Sequence, residues 1–148
     1  MSADERELRR AVAVLDQYRA QLEGLGQQQE FVRISLEEHL RARETLTRFH
    51  QAGKGAEVLV PVGANAYVVA EVRDPDNALV GIGSDLVVQD EIPKHLERLD
   101  ARIASITEAA NAIGERLAEV QRRAEAQTAF VQNEYDRLQA GGAQGESE

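Results

Sequence analysis

Histidine is the residue in this sequence best suited to metal ligation or acid–base chemistry, and it occurs at His39, His50 and His95. A metal site would need a second histidine or a carboxylate at a defined spacing, and no HExxH pattern is present. Cysteine is absent, which excludes disulfides, thiol nucleophiles and thiolate metal sites. No nucleophile elbow, paired acid–base carboxylates or glycine-rich phosphate loop stands out. We therefore expect no enzyme, no catalytic or metal-binding residue and no cofactor.

Composition narrows the class of protein further. The 148 residues suit one domain, and 17 Lys+Arg against 26 Asp+Glu give a net charge of −9, which argues against nucleic-acid binding. Aromatic residues make up only 4%, as expected for a helical seam of Leu, Ile and Val. The only lysines are Lys54 and Lys94, which fits either a high-salt cytosol or a GC-rich genome. No secretory signal or membrane span is recognised, so we expect a cytoplasmic protein without a membrane partner.

Two long stretches have the heptad pattern of coiled-coil helices. The first is assigned to residues 1–52 and begins with a capping box at Ser2-Ala3-Asp4-Glu5. The second is assigned to residues 91–139, with Pro93 in its first turn, and residues 140–148 are expected to be a disordered tail. The apolar seam of the first helix consists of Leu8, Ala11, Leu15, Tyr18, Leu22, Leu25, Val32, Leu36 and Leu46, interrupted by Gln29, His39 and Arg43. The seam of the second consists of Ile92, Leu96, Leu99, Ile103, Ile106, Ala110, Ile113, Leu117, Val120, Ala124, Val131 and Leu138, with Gln127 and Glu134 as polar members.

The block between the helices, residues 53–90, is rich in β-branched residues and turn signals. Strands are predicted at 58–62, 67–72, 78–82 and 86–89, separated by turns, so two β-hairpins lie between the helices. The fold class is therefore α+β and mostly α: a long antiparallel two-helix coiled coil with two β-hairpins at the bend. Two small apolar hairpins are only marginally stable in water by themselves. We therefore expect them to associate with other chains.

The strand block, EVLVPVGANAYVVAEVRDPDNALVGIGSDLVVQD from Glu57 to Asp90, resembles that of the α-class prefoldin subunits. The matching pieces are 58–63, 67–68, 80–83 and 86–88. The resemblance extends over nearly the whole chain, although the coiled-coil parts are unspecific. It points to an archaeal subunit, and the acidic, lysine-poor composition is compatible with a halophilic one.

This resemblance implies a hexameric chaperone of two α and four β prefoldin subunits, whose hairpins form an oligomeric β-barrel platform. The coiled-coil tips would hold non-native proteins and pass them to a group II chaperonin, without ATP. The residues expected in the oligomerisation platform are Val58, Val60, Val62, Tyr67, Val69, Leu79, Val80, Ile82, Leu86, Val87 and Val88.

Client binding is expected at the free helix ends, where apolar content combines with access, at Leu8, Val12, Phe130, Val131, Tyr135 and Leu138. Leu8, Val131 and Leu138 also fit as the end of the seam, whereas Phe130 and Tyr135 lie off it. The polar seam positions Gln127 and Glu134 are expected to let the last turns separate.

Two further interpretations stay open. Gly24, Gly26 and Gly114 fall at one height of the antiparallel pair, which indicates a hinge, close helix packing or simple tolerance of glycine in a helix. The alternative function is a structural coiled-coil scaffold or adaptor that oligomerises through its hairpins and binds a specific folded partner.

Overall fold

A computed structural model describes residues 2–146, with side chains up to Gly142. The elements follow one another as two long helices flanking four short strands. They are α1 (Ala3–Ala52), β1 (Glu57–Gly63), β2 (Ala66–Glu71), β3 (Asn77–Gly83), β4 (Leu86–Glu91) and α2 (Ile92–Glu146). The strands form two separate antiparallel hairpins, β1 with β2 and β3 with β4, which confirms the predicted fold class.

The ends of the helices follow from local chemistry. At the start of α1 the Glu5 backbone N–H donates to Ser2 Oγ at 3.1 Å, and the Ser2 N–H donates to Glu5 Oε2 at 3.2 Å. This reciprocal pair confirms the predicted capping box. Past the end of α1, Gly53 and Gly55 have φ values of 80° and 87°, which favour glycine and stop the helix.

The predicted end of the second helix was wrong. The structure continues α2 through the expected tail as far as Glu146, and the last two residues of that tail lie outside the described residues. Gln, Ala and Glu in this stretch are good helix formers, and each glycine at 141 and 142 costs only about 1 kcal/mol relative to alanine. Two glycines therefore do not end a helix that is already formed.

The two hairpins have the same geometry. Their two-residue turns, Ala64-Asn65 and Ser84-Asp85, have positive φ at all four residues, as type I′ turns require. A bulge precedes the turn in each hairpin, between Pro61 and Gly63 in β1 and between Gly81 and Gly83 in β3. Each residue pair of β1 and β2 has a counterpart twenty residues further along the chain (57 to 77, 71 to 91). The strand block is thus a tandem structural repeat.

The chain divides into two compact units. The first, called the helical unit, consists of Met1–Arg33 and Ala109–Glu148, in which segments of α1 and α2 pack antiparallel. Its core contains buried members of both predicted seams, namely Ala11, Leu15, Val120 and Ala124. The seam members around this core are half-buried except Gln29, which is exposed. Burial therefore follows the heptad pattern.

The second unit, called the hairpin unit, is Ile34–Glu108 and contains both hairpins with the adjoining parts of the helices. Its buried side chains are Val72, Ile92 and Leu99. Val72 and Ile92 are equivalent residues of the tandem repeat, each immediately following the second strand of its hairpin. One residue from each repeat therefore anchors its hairpin in the core of this unit.

Polar contacts complete the hairpin unit. Arg98 at the start of α2 makes a two-pronged ion pair with Asp90 of β4, at 2.6 and 3.1 Å. Arg43 of α1 pairs with Asp100 of α2, and this hydrogen bond raises the pKa of the arginine. The Asn77 amide and the Asp76 N–H donate to Asp74, which lowers the pKa of that carboxyl. Within the described residues no helix is apolar over a length that would cross a membrane.

The three helical glycines are not explained by close packing. A Cβ added to Gly24, Gly26 or Gly114 would meet no atom within 4 Å, and none of the three has a positive φ. Gly24 and Ile113, the residue before Gly114, line the same shallow hollow of the helical unit, which agrees with the predicted common height. The hinge interpretation stays a prediction.

We expect alanine at all three glycines to raise the free energy of unfolding, by up to about 1 kcal/mol per site, because backbone entropy is lost from the unfolded chain only. Urea unfolding followed by circular dichroism measures this. Gly63→Ala is the control: it also has open space, but its φ of 105° strains any side chain, so stability should fall. An unchanged spread of spin-label distances across the helical unit in the triple variant would contradict a hinge.

Candidate functional site

The residues predicted to bind clients all lie in the helical unit, near the start of α1 and in the last third of α2. The structure brings these two regions together. Gln127 Nε2 donates to the Ala11 carbonyl oxygen at 2.8 Å, and Arg137 lies 3.4 Å from Asp4. The six side chains therefore surround one end of an antiparallel helix pair.

These six side chains differ in exposure, as their heptad positions predict. Leu8, Val131 and Leu138 are half-buried and continue the seam. The other three point off the seam: Val12 is 39%, Phe130 43% and Tyr135 49% exposed. We call Val12, Phe130 and Tyr135 the tip residues. They offer apolar surface without being needed to close the seam.

The two polar seam residues do not separate the helix ends, so that expectation was wrong. Gln127 is half-buried, and its amide bonds the α1 backbone across the pair. Glu134 accepts a hydrogen bond at 2.7 Å from Arg137, which also reaches Asp4 of α1. A long polar side chain at a seam position can reach a backbone oxygen or an ion pair on the neighbouring helix. Gln127 therefore joins the two helices directly, whereas Glu134 does so only through Arg137.

The second candidate surface is formed by the hairpins. Both faces of each hairpin are apolar, because residues opposite each other share a face: Leu59 with Val69 on one side, and Val60 with Val68 on the other. Of the residues predicted for the platform, Val58 and Val80 are half-buried, and the others are exposed in the single chain: Val60, Val62, Tyr67, Val69, Leu79, Ile82, Leu86, Val87 and Val88.

Sequence reasoning missed two members of this surface, Leu59 and Val68, which are also exposed. The tandem repeat is the signal that would have found them. Leu59 is equivalent to Leu79 and Val68 to Val88, and both of those counterparts were predicted. A comparison of the strand block with itself therefore completes the set.

His39 and His50 have hydrogen-bonding partners, whereas the buried Nδ1 of His95 makes no hydrogen bond. His39 Nδ1 lies 2.7 Å from the Ser35 carbonyl one turn earlier, and His50 Nδ1 lies 2.8 Å from the Pro75 carbonyl. His95 lies beside Asp90, with Nδ1 3.8 Å from the carboxylate. Among residues 2–146 no three histidine, aspartate or glutamate side chains are grouped so that they could hold a metal ion.

Comparison with known proteins is consistent with this arrangement. The sequence profile of the family described as prefoldin subunit matches residues 18–139. The chain belongs to the prefoldin family. It is 30% identical over 132 residues to prefoldin subunit alpha from Methanosarcina mazei, covering 85% of this chain and 93% of the relative. It is 28% identical over 124 residues to prefoldin subunit alpha from Pyrococcus horikoshii, covering 83% and 84%.

A solved structure shows the same fold. It is the cryo-EM structure of filamentous PFD from Methanocaldococcus jannaschii, with a TM-score of 0.64 and 25% identity. The match covers 79% of this chain and 97% of that chain. Prefoldins are chaperones and not a family of enzymes, so the comparisons confirm the chaperone interpretation and do not favour the scaffold alternative.

The bond from Gln127 to Ala11 leads to a prediction. We expect Gln127→Ala to lower the free energy of unfolding by about 0.5–1.5 kcal/mol, because one half-buried hydrogen bond between the helices is lost. Urea unfolding of the full chain measures the change. Gln132→Ala is the matched control, since Gln132 is exposed and bonds only Asp136 on its own helix. Equal effects of the two substitutions would show that Gln127 does not hold the helices together.

Proposed function

We propose that this chain is the α subunit of a cytoplasmic, hexameric prefoldin holdase, with two copies joined to four β subunits. Its hairpins contribute strands to a β-barrel platform shared by the subunits. Its helical unit binds non-native polypeptides at the tip and delivers them to a group II chaperonin without using ATP. Exposed apolar side chains, placed at the hairpins and at the tip, are the observation that carries this proposal.

The hairpins supply the reason for assembly. Leu59 is 67% and Leu79 75% exposed, and each sits on a two-stranded sheet whose opposite face is apolar as well. Such hairpins are only marginally stable in water. A partner sheet that covers them stabilises the assembly by about 25 cal/mol for each Å² of apolar surface removed from water. The helices have no such need, because their seams are covered within the chain.

The tip residues suit a binder of unfolded chains. A non-native protein offers scattered apolar patches, so a holdase gains from several weak contacts on separate subunits that act together. Val12, Phe130 and Tyr135 provide a small apolar surface among charged residues. A small surface keeps each contact weak, so that release of the client stays fast.

Assembly through the hairpins can be tested at Val87. We expect Val87→Asp to abolish assembly with β subunits while helicity stays intact, because an unpaired charge would be buried in the platform at a cost of several kcal/mol. Native mass spectrometry of the mixed subunits and circular dichroism measure the two effects. Gln89→Asp is the control: it places the same charge on the same face, where the chain already carries a polar side chain. A complex of full size with Val87→Asp would exclude this face from the platform.

Client binding can be tested at the tip. We expect Phe130→Ser with Tyr135→Ser to leave the assembly intact and to raise the concentration needed to suppress aggregation of an unfolded protein about threefold, since contacts on several subunits add. The β subunits are held constant. Phe31→Ser is the matched control, because Phe31 is 74% exposed in the helical unit but lies outside the tip residues.

The control also decides where clients bind if the tip is not the site. An unchanged double variant together with a weakened Phe31→Ser protein would move the client site from the tip to the side of the helix pair.

A further inference from the structure

Three arginines in the first turns of α1 are exposed and unpaired. The side chains of Arg6, Arg9 and Arg10 make no hydrogen bond or ion pair within the described part of the chain. Arginines elsewhere on the helices, such as Arg33 and Arg48, pair with a carboxylate three or four residues away. We call Arg6, Arg9 and Arg10 the arginine cluster.

The acidic residues in the same turns do not neutralise the cluster. Asp4 is engaged by the ion pair with α2, and Glu5 is engaged by the capping box. Glu7 is the remaining carboxylate, and it lies with Arg6 and Arg10 around one shallow hollow. Three guanidinium groups therefore stand beside one available carboxylate. The result is a local positive charge on a chain whose net charge is −9.

The position of the arginine cluster is unfavourable for the free chain. The first turn of a helix carries a partial positive charge from its unpaired N–H groups, so Arg6 is repelled by the helix itself. Arg9 and Arg10 follow Arg6 by three and four residues, which makes them its neighbours on the helix surface, and like charges at this spacing repel each other. A partner that brings negative charge to this surface would relieve both kinds of repulsion.

The arginine cluster borders the apolar surface of the tip. Arg9 precedes the tip residue Val12 by three residues, so their side chains are neighbours on the surface of α1. The bond from Gln127 to Ala11 places the other tip residues at the same end of the helix pair. A polypeptide that covers the tip residues therefore passes beside the guanidinium groups.

We propose that the arginine cluster makes the tip select non-native polypeptides in which acidic residues flank an apolar stretch. The tip residues contact the apolar stretch, and the guanidinium groups donate charge-assisted hydrogen bonds to the neighbouring carboxylates. A chain with net charge −9 repels acidic polypeptides as a whole, and a local positive cluster offsets this repulsion where the client binds. The inference rests on the proposed function, because it names the class of client that the tip selects.

Three unstructured peptides test this selectivity. They share one apolar stretch with a photoreactive group, and the stretch is flanked by glutamate, glutamine or lysine. The complex with β subunits is irradiated at increasing peptide concentration, and denaturing electrophoresis separates this chain from the β subunits, so that its own labelling gives its affinity. At low salt we expect the glutamate-flanked peptide to bind about fivefold more tightly than the glutamine-flanked one, since each exposed ion pair contributes about a factor of two. Molar KCl should remove the difference.

Substitution of the cluster tests which residues select the peptide. We expect the chain with Arg6→Gln, Arg9→Gln and Arg10→Gln to bind the glutamate-flanked and glutamine-flanked peptides equally. Its affinity for the glutamine-flanked peptide should be unchanged, because the tip residues remain. Its stability in urea should not fall, since repulsion within α1 is relieved. Glutamate at the same three positions should reverse the preference, so that the lysine-flanked peptide binds most tightly.

The matched control removes the same amount of charge away from the tip. Arg41, Arg73 and Arg102 are exposed arginines of the hairpin unit, and no ion pair or hydrogen bond of their side chains is found within residues 2–146. A chain with Arg41→Gln, Arg73→Gln and Arg102→Gln has the same net charge as the cluster variant. We expect it to keep the full preference for the glutamate-flanked peptide.

Two results would overturn the proposal. One is equal affinity of the unaltered complex for the glutamate-flanked and glutamine-flanked peptides at low salt. The other is an equal loss of preference in the cluster variant and the control, which would assign the preference to total charge. An unaltered complex that binds all three peptides equally rejects only the role of the arginine cluster, whereas a complex that binds none of them rejects the proposed function.

Discussion

A two-stranded hairpin cannot cover both of its faces or pair both of its edges by itself, and the rest of the structure depends on this constraint. Both of its faces are apolar and both of its edges carry unpaired backbone groups, so burial of one face leaves the other in water. Val72 and Ile92 anchor the hairpins within their own chain, but Leu59 and Leu79 stay exposed. The helices, whose seams cover each other, bury their apolar side chains without a second chain. The residues that stabilise the fold of the single chain therefore differ from those that stay exposed on the hairpins.

The fold could be predicted from sequence because periodicity alone decides which side chains meet. A heptad repeat selects one helix face whatever the partner is, and burial follows it at nearly every seam position. The exposed exceptions are Gln29 and Arg43, and Arg43 finds Asp100 as an ion-pair partner. The hairpins were predictable for a similar reason, since β-branched runs between short turn sequences leave few alternatives.

The function of polar and terminal residues was less predictable, because it depends on what lies across from them. Gln127 was expected to weaken the seam, but the Ala11 carbonyl lies within its reach. A heptad position gives the direction of a side chain and not the identity of the group it meets. The end of α2 was misjudged because the last residues were expected to be a disordered terminus, although the cost of glycine is small once a helix is formed. The exposure of Phe130 and Tyr135 agreed with the pattern because both lie off the seam.

A duplicated hairpin raises a question of its own, because two equal edges on one chain would accept the same strand. When an edge pairs with the same edge of a second copy about a two-fold axis, the assembly closes after two copies. When an edge pairs with a different edge of the next copy, subunits can be added without limit and form open chains. A closed assembly therefore requires that the duplicated edges differ. In this chain the backbone geometry of the two hairpins is the same, so the difference must come from side chains. A proline in place of a glycine, and an uncharged strand in place of one bearing Glu57, are small changes that act on the two quantities that decide edge pairing: available donors and repulsion between copies.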